Sequence, residues 1–134
     1  RLDEIRPWLS RLFNKIDRHH DDIVQVEEFE MHDADVAIIA YGVTARSAKS
    51  TVRLGRKRGL KIGLLRPITI WPFPKEQVQQ LSYQVNKIVV AEMNNGQYVL
   101  EVERVVGGRC QVVKVVHADG ELISPEEILS HLEV

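Results

Sequence analysis

The sequence predicts an α/β fold: helices on both faces of a five-stranded, mostly parallel sheet. Three observations carry this. Short apolar β-branched runs alternate with segments of helical periodicity. Some runs, such as Val36-Ala37-Ile38-Ile39-Ala40-Tyr41, are apolar throughout, as a strand covered on both faces requires. Glycine and proline punctuate the joins, as at Gly42, Gly59 and Pro74. Alternation of this kind belongs to layered α/β domains.

In chain order, residues 2–19 read as an amphipathic helix, with Leu2, Ile5, Leu9, Leu12, Phe13 and Ile16 on one face. The polar cluster Arg18-His19-His20-Asp21-Asp22 ends it. Its adjacent histidines lack the i,i+4 spacing of a helical metal pair and read as a solvated turn. Residues 1–22 thus form a helix and connector ahead of the sheet. Residues 23–30 partly alternate apolar and polar side chains, which suits a sheet edge. Gly42 closes the second strand, Thr44 is the expected N-cap, and a helix follows to about Arg58. Ala45, Ala48, Val52 and Gly55 give it a narrow packing stripe. Arg56, Lys57 and Arg58 complement the negative end of its dipole, and Gly59 caps it.

Residues 60–65 form a third strand, and a loop from Arg66 to Pro74 leaves its carboxyl end. Prolines 67, 72 and 74 stiffen that loop. Pro74 is expected at the first position of the next helix, which buries Val78, Leu81 and Val85. Residues 88–92 are a fourth strand. Residues 98–106 have strand-like composition but helical spacing, and helix fits better after a strand and a glycine. Residues 110–116 are a fifth strand. Ser124 and Pro125 open a short last helix.

The chain has 134 residues, enough for one compact domain, and 28% are charged with a net charge of −1. That balance argues for no nucleic-acid partner. No apolar run reaches the length of a membrane span. One cysteine, Cys110, permits no intrachain disulfide and suggests a reducing, cytoplasmic setting. It reads as a packed residue rather than a reactive thiol, and His117 as a surface residue rather than a site histidine. The first residue is Arg1, and the chain opens directly into the amphipathic pattern, so a piece of a longer polypeptide is expected.

Two stretches carry most of the functional information. Residues 88–97 end a strand in Glu92, Asn94, Gly96 and Gln97, at a carboxyl end where α/β sheets gather polar groups. Glu92 is the best candidate acid or base; its structural alternative is to accept backbone N–H bonds at the next helix start. The other stretch holds Arg66, Pro67, Trp71, Pro72 and Phe73. Trp71 and Phe73 either cap the core or dock a partner. A third candidate is anionic: Gly42, Thr44 and Arg46 lie at a helix start where free N–H groups point outward. No nucleophile elbow, phosphate loop or diphosphate–magnesium motif occurs.

Together, residues 63–74 and 92–97 resemble the alpha subunit of the 2-oxoacid:ferredoxin oxidoreductases, the 2-oxoglutarate synthase type in particular. The family has an arginine-proline loop with a Trp-Pro-Phe-Pro turn, then a Glu-x-Asn-x-Gly-Gln strand end. Residues 34–42, the helix start at 45–48 and residues 124–128 match as well, so the likeness covers essentially the whole chain. It implies the C-terminal domain fold of transketolase, with a mixed sheet in which residues 23–30 form an antiparallel edge. It implies a parent subunit carrying a pyrimidine-binding domain and paired with a beta subunit. That complex decarboxylates a 2-oxoacid on thiamine diphosphate, passes electrons through iron–sulfur clusters to ferredoxin, and transfers the acyl group to coenzyme A. The resemblance places thiamine diphosphate, magnesium and the clusters on other domains or subunits. This domain would then bind no cofactor alone, carry no catalytic residue, and border the active site through the two motifs. The alternatives are a free-standing module binding an anion such as coenzyme A or a nucleotide, and a free-standing enzyme using Glu92.

Overall fold

The computed structural model describes residues 24–133. The helix and connector expected at 1–22, with the His19–Asp22 cluster, lie outside them. Five strands form one sheet: β1 (Val26–Phe29), β2 (Val36–Ala40), β3 (Ile62–Pro67), β4 (Lys87–Glu92) and β5 (Gln111–Val116). Four helices connect or follow them: α1 (Thr44–Lys57), α2 (Lys75–Gln84), α3 (Gln97–Val106) and α4 (Pro125–Ser130). The strand order is β1-β3-β2-β4-β5. All neighbours are parallel except β1, which pairs antiparallel with β3. The wet first strand is therefore the edge that its half-polar pattern calls for.

Strand periodicity divides the core in two. Ala37, Ile39, Leu65, Ile88 and Val90 face the layer of α2 and α3. Ile38, Ala40, Leu64, Val89 and Ala91 face the layer of α1 and α4. Residues 98–106 are helical, and Tyr98, Val99, Val102, Val105 and Val106 are buried. Packing decided their conformation: a helix here covers β4 and β5, which a further strand would leave bare.

Three local expectations need correction. Thr44 does not cap α1; Val43 is the N-cap, and Thr44 is the buried first helical residue. Pro74 stands one position earlier than expected, as the N-cap of α2. Arg66 and Pro67 belong to β3 rather than to the following loop, because β1 extends the ladder: Glu27 opposes Arg66 and Val26 opposes Pro67. The basic end of α1 also has more than dipole work. Arg56 donates to the Ile62 and Glu30 carbonyls at 3.0 and 2.7 Å and to Asp33 Oδ1 at 2.6 Å. Cys110 is half-buried against the core, and burial pushes its thiol pKa up.

Gly63 sits where no side chain fits. A Cβ there would meet Met31 Sδ, lie 2.9 Å from the Glu30 carbonyl oxygen and 3.0 Å from Ala34 Cβ. The sulfur can move, but the backbone oxygen cannot. Gly63→Ala should therefore destabilise the chain by about 1–3 kcal/mol in urea unfolding.

His117, after β5, ties that edge to α4: its Nε2 lies 2.9 Å from Glu127 Oε1 and its Nδ1 3.2 Å from the Glu121 carbonyl. Desolvation lowers its pKa, but the carbonyl and the Glu127 carboxylate outweigh that, and the net shift is upward from 6.5. A raised folded-state pKa stabilises the fold below the unfolded value and is lost as pH rises through the folded one. Chemical unfolding at a series of pH values should show this loss above about 6.5. His117→Gln should remove that part of the profile.

Candidate functional site

The chain reverses direction across the sheet at β2. It leaves β2 through α1 for β3 on one side, then returns through α2 to β4 on the other. The connections after β2 and β4 therefore depart toward opposite faces. Such a switch point opens a crevice beyond the strand carboxyl ends. Tyr41, just past β2, and Glu92, the last residue of β4, stand at it.

Glu92 is 1% exposed, and its carboxylate is fully engaged. Oε2 accepts from the Val99 N–H at 2.8 Å, and Oε1 accepts from the Tyr98 N–H at 3.3 Å and the Tyr41 hydroxyl at 3.1 Å. The N-cap of α3, Gly96, has no side chain to serve these amides, and its φ of +85° favours glycine. The strand's last carboxylate thus caps the next helix, where the positive end of the dipole favours an anion. Of the two roles left open for Glu92, the geometry is that of the cap.

Asn94 extends the network, donating from Nδ2 to the Tyr41 oxygen at 2.6 Å. Burial, then the neighbouring Glu92 charge, push the Tyr41 hydroxyl up to about 12. It stays neutral and keeps its proton for Glu92. The Tyr98 ring meets those of Tyr41 and Phe73 at 5.0 Å and Trp71 at 5.7 Å. Burial also raises the Tyr98 hydroxyl pKa, and that buried oxygen has no hydrogen-bond partner among the described residues.

Trp71 and Phe73 divide the two roles expected of them. Phe73 is 8% exposed and closes the core, while Trp71 is 57% exposed above the Tyr98 ring. Half-buried Pro72 between them follows a cis peptide bond. Asn94 and Gln97 are exposed and Gly96 is buried. Trp71, Phe73, Glu92 and Asn94 therefore meet through Tyr41 and Tyr98. Neither tyrosine stood out in the sequence, where one ends an apolar run and the other sits in the segment of mixed signals.

Arg66 and Pro67 do not join this patch. Pro67 is buried at the end of β3. Strand alternation turns Arg66 to the α1 face, where it lines a cavity of about 570 Å³ with Gly42, Val43, Ala45, Arg46 and Lys49. Two of the three anion-site residues, Gly42 and Arg46, line that cavity, and Thr44 does not. The helix amides are less free than expected: the Ala45 and Arg46 N–H groups donate to the Gly42 and Val43 carbonyls at 3.1 and 3.2 Å.

The donor set does not suit the cofactors that the family resemblance implies. One thiol cannot hold an iron–sulfur cluster. The acidic group nearest to a metal site, His117, Asp119 and Glu121, follows edge strand β5, while the cationic cavity lies beside β3. No described cavity combines the two, as a magnesium–diphosphate site would require.

Glu92→Gln tests the cap. The amide would turn an N–H group toward a backbone donor and remove the charge. Stability should fall by about 1–3 kcal/mol, and hydrogen exchange at the Tyr98 and Val99 amides should accelerate more than in α2.

The family profile described as pyruvate:ferredoxin oxidoreductase core domain II matches residues 34–128. The chain is 39% identical over 122 residues to the 2-oxoglutarate synthase subunit KorA of Methanothermobacter thermautotrophicus, covering 91% of this chain and 32% of that protein. It is 41% identical over 120 residues to the same-named subunit of Methanocaldococcus jannaschii, covering 90% and 32%. It is also 35% identical over 129 residues to the ketoisovalerate oxidoreductase subunit VorB of Methanothermobacter marburgensis, covering 96% and 36%. The chain thus spans about a third of the length of these relatives. Among solved structures it resembles a 2-oxoglutarate:ferredoxin oxidoreductase from Magnetococcus marinus, with TM-score 0.72 and 22% identity over 90% of this chain and 21% of that one. It also resembles a split-gene transketolase, with TM-score 0.69 and 17% identity over 79% and 39% of the two chains. At these identities the structural likenesses speak for the fold, which is that of the transketolase C-terminal domain. By its profile and its relatives, the chain belongs to the pyruvate:ferredoxin oxidoreductase core domain II family.

Proposed function

We propose that this chain is the core domain II of the alpha subunit of a 2-oxoacid:ferredoxin oxidoreductase, with 2-oxoglutarate as the 2-oxoacid. In this reading the domain is an assembly element that borders the active site and performs no reaction itself. The observation that carries it is the division of labour at the switch point. Glu92, the best candidate for acid–base work, is consumed by capping α3, while Trp71 stands exposed on a rigid aromatic base. A large indole held over packed rings is a typical interface anchor. Trp71, beside Phe73 and Tyr98, would face the pyrimidine-binding domain of the same subunit or the beta subunit, and the exposed Asn94 and Gln97 belong to the second family motif at the same sheet end.

The chemistry belongs to the complex. In this reading thiamine diphosphate, coenzyme A and ferredoxin would be served by other domains and subunits of that complex. The 2-oxoglutarate assignment rests on KorA relatives at 39% and 41% identity, against 35% for the ketoisovalerate subunit. Among the described residues no helix is long and apolar enough to cross a membrane. With a single cysteine in the sequence, this favours a cytoplasmic complex.

Trp71→Ala in the assembled complex is the test. Removing an exposed anchor should weaken subunit or domain association by about tenfold or more, read by analytical ultracentrifugation. The thermal unfolding of the isolated chain should change little. Unaltered assembly and activity would remove the docking role from this loop.

A further inference from the structure

The cavity on the other face of the sheet is distinct from the aromatic patch. Its walls come from the β2–α1 turn, the first turns of α1 and the end of β3. Its lining holds three cations, Arg46, Lys49 and Arg66, and no carboxylate. One acid stands beside it: Glu27, with Oε1 2.8 Å from Lys49 Nζ and Oε2 3.6 Å from Arg66 Nη1. Lys49, then Arg66, hold the Glu27 pKa below the usual carboxylate range. Glu27 is therefore charged at neutral pH, and a single negative charge faces three positive ones.

The balance leaves two positive charges without a counterpart. Arg46 is exposed and has no ion pair or hydrogen-bonded side-chain partner among the described residues. Arg66 is only partly satisfied: its Nε is buried and has no acceptor among the described residues. Two other basic residues of α1 are occupied elsewhere. Arg56 is bound to Asp33 and Glu30, and Arg53 stacks over the Phe29 ring at 5.3 Å. Converging cations with spare donors around an open cavity are the arrangement that recognises an oxyanion, and two arginines favour one with several acceptor oxygens.

We propose that this cavity binds a phosphate dianion, held by Arg46, Lys49 and Arg66. Phosphate matches the excess of two charges, where a carboxylate would neutralise half of it. The arginine forks can engage two of its oxygens, while Lys49 acts as a point charge shared with Glu27. The volume of about 570 Å³ exceeds the needs of inorganic phosphate and accommodates a phosphoryl group on a larger organic body. The helix start contributes its field rather than its amides, since the Ala45 and Arg46 N–H groups are already bonded. The site does not depend on the docking role of Trp71, and either can fail without the other.

Isothermal titration of the full chain with inorganic pyrophosphate tests it, with inorganic phosphate and ADP as parallel arms. Pyrophosphate should bind saturably. Arg46→Gln should weaken that binding by about tenfold, because it removes an unshared charge at contact distance. Arg46 is exposed and unpaired, so the variant should keep the thermal unfolding of the parent chain. Arg104→Gln removes the same charge from α3, where Arg104 pairs with Glu101 at 2.6 Å, and should leave binding unchanged. Glu27→Gln should tighten binding about threefold by releasing Lys49 and Arg66. ADP binding more tightly than pyrophosphate would identify an organic phosphate as the ligand; equal affinity would identify the free anion. Absence of saturation with pyrophosphate, equal affinity in Arg46→Gln, or unchanged or weaker affinity in Glu27→Gln would overturn the proposal.

Discussion

The Glu92 carboxylate is the constraint on which the rest of this edge depends. It is buried at the last residue of β4, and such a group is costly to hold unless its oxygens are satisfied. Two backbone amides of α3 and one tyrosine hydroxyl satisfy them. One side chain thereby fixes the axis of α3 relative to the sheet, the position of Tyr98 on that helix, and the rotamer of Tyr41. Gly96 is part of the same solution: with a left-handed residue at the N-cap, the connection from strand to helix can stay short.

From that fixed point the aromatic layer is built outward. Tyr98 is held by its own amide, Phe73 packs on it, and Trp71 lies on both. A partner meeting Trp71 would meet a surface already ordered, so little side-chain entropy remains to be lost on association. On the opposite face the same strand ends deliver Arg66 to a charged environment. A sheet two residues longer at β3 than its apolar run suggests makes this possible. The antiparallel pairing with β1 extends the strand and sets Glu27 across from Arg66.

Much of this was legible in the sequence. The strands, the helix order and the edge position of β1 followed from periodicity, because burial on one or two faces writes itself into alternation. The capping role of Glu92 was visible as one of two readings, since a carboxylate before a helix start suits either. The separation of Arg66 from Trp71 was not visible. Five residues apart in the chain, they lie on opposite faces because β3 continues through Pro67, and a proline there reads as the start of a loop. Tyr41 and Tyr98 escaped for another reason: their importance lies in a contact across 57 residues that no local pattern records.

The four-residue strand β1 has a consequence beyond the edge it fills. Among the described residues its outer side pairs with no further strand, and an edge of this kind can recruit a strand from another molecule. Here that template is short, and it carries two successive glutamates, Glu27 and Glu28. Glu27 is drawn against Lys49 and Arg66, but Glu28 is exposed. A second copy approaching edge to edge would bring like charges together over a ladder too brief to offset them. The polar alternation that marks β1 as an edge thus also guards the sheet against growing into its neighbours.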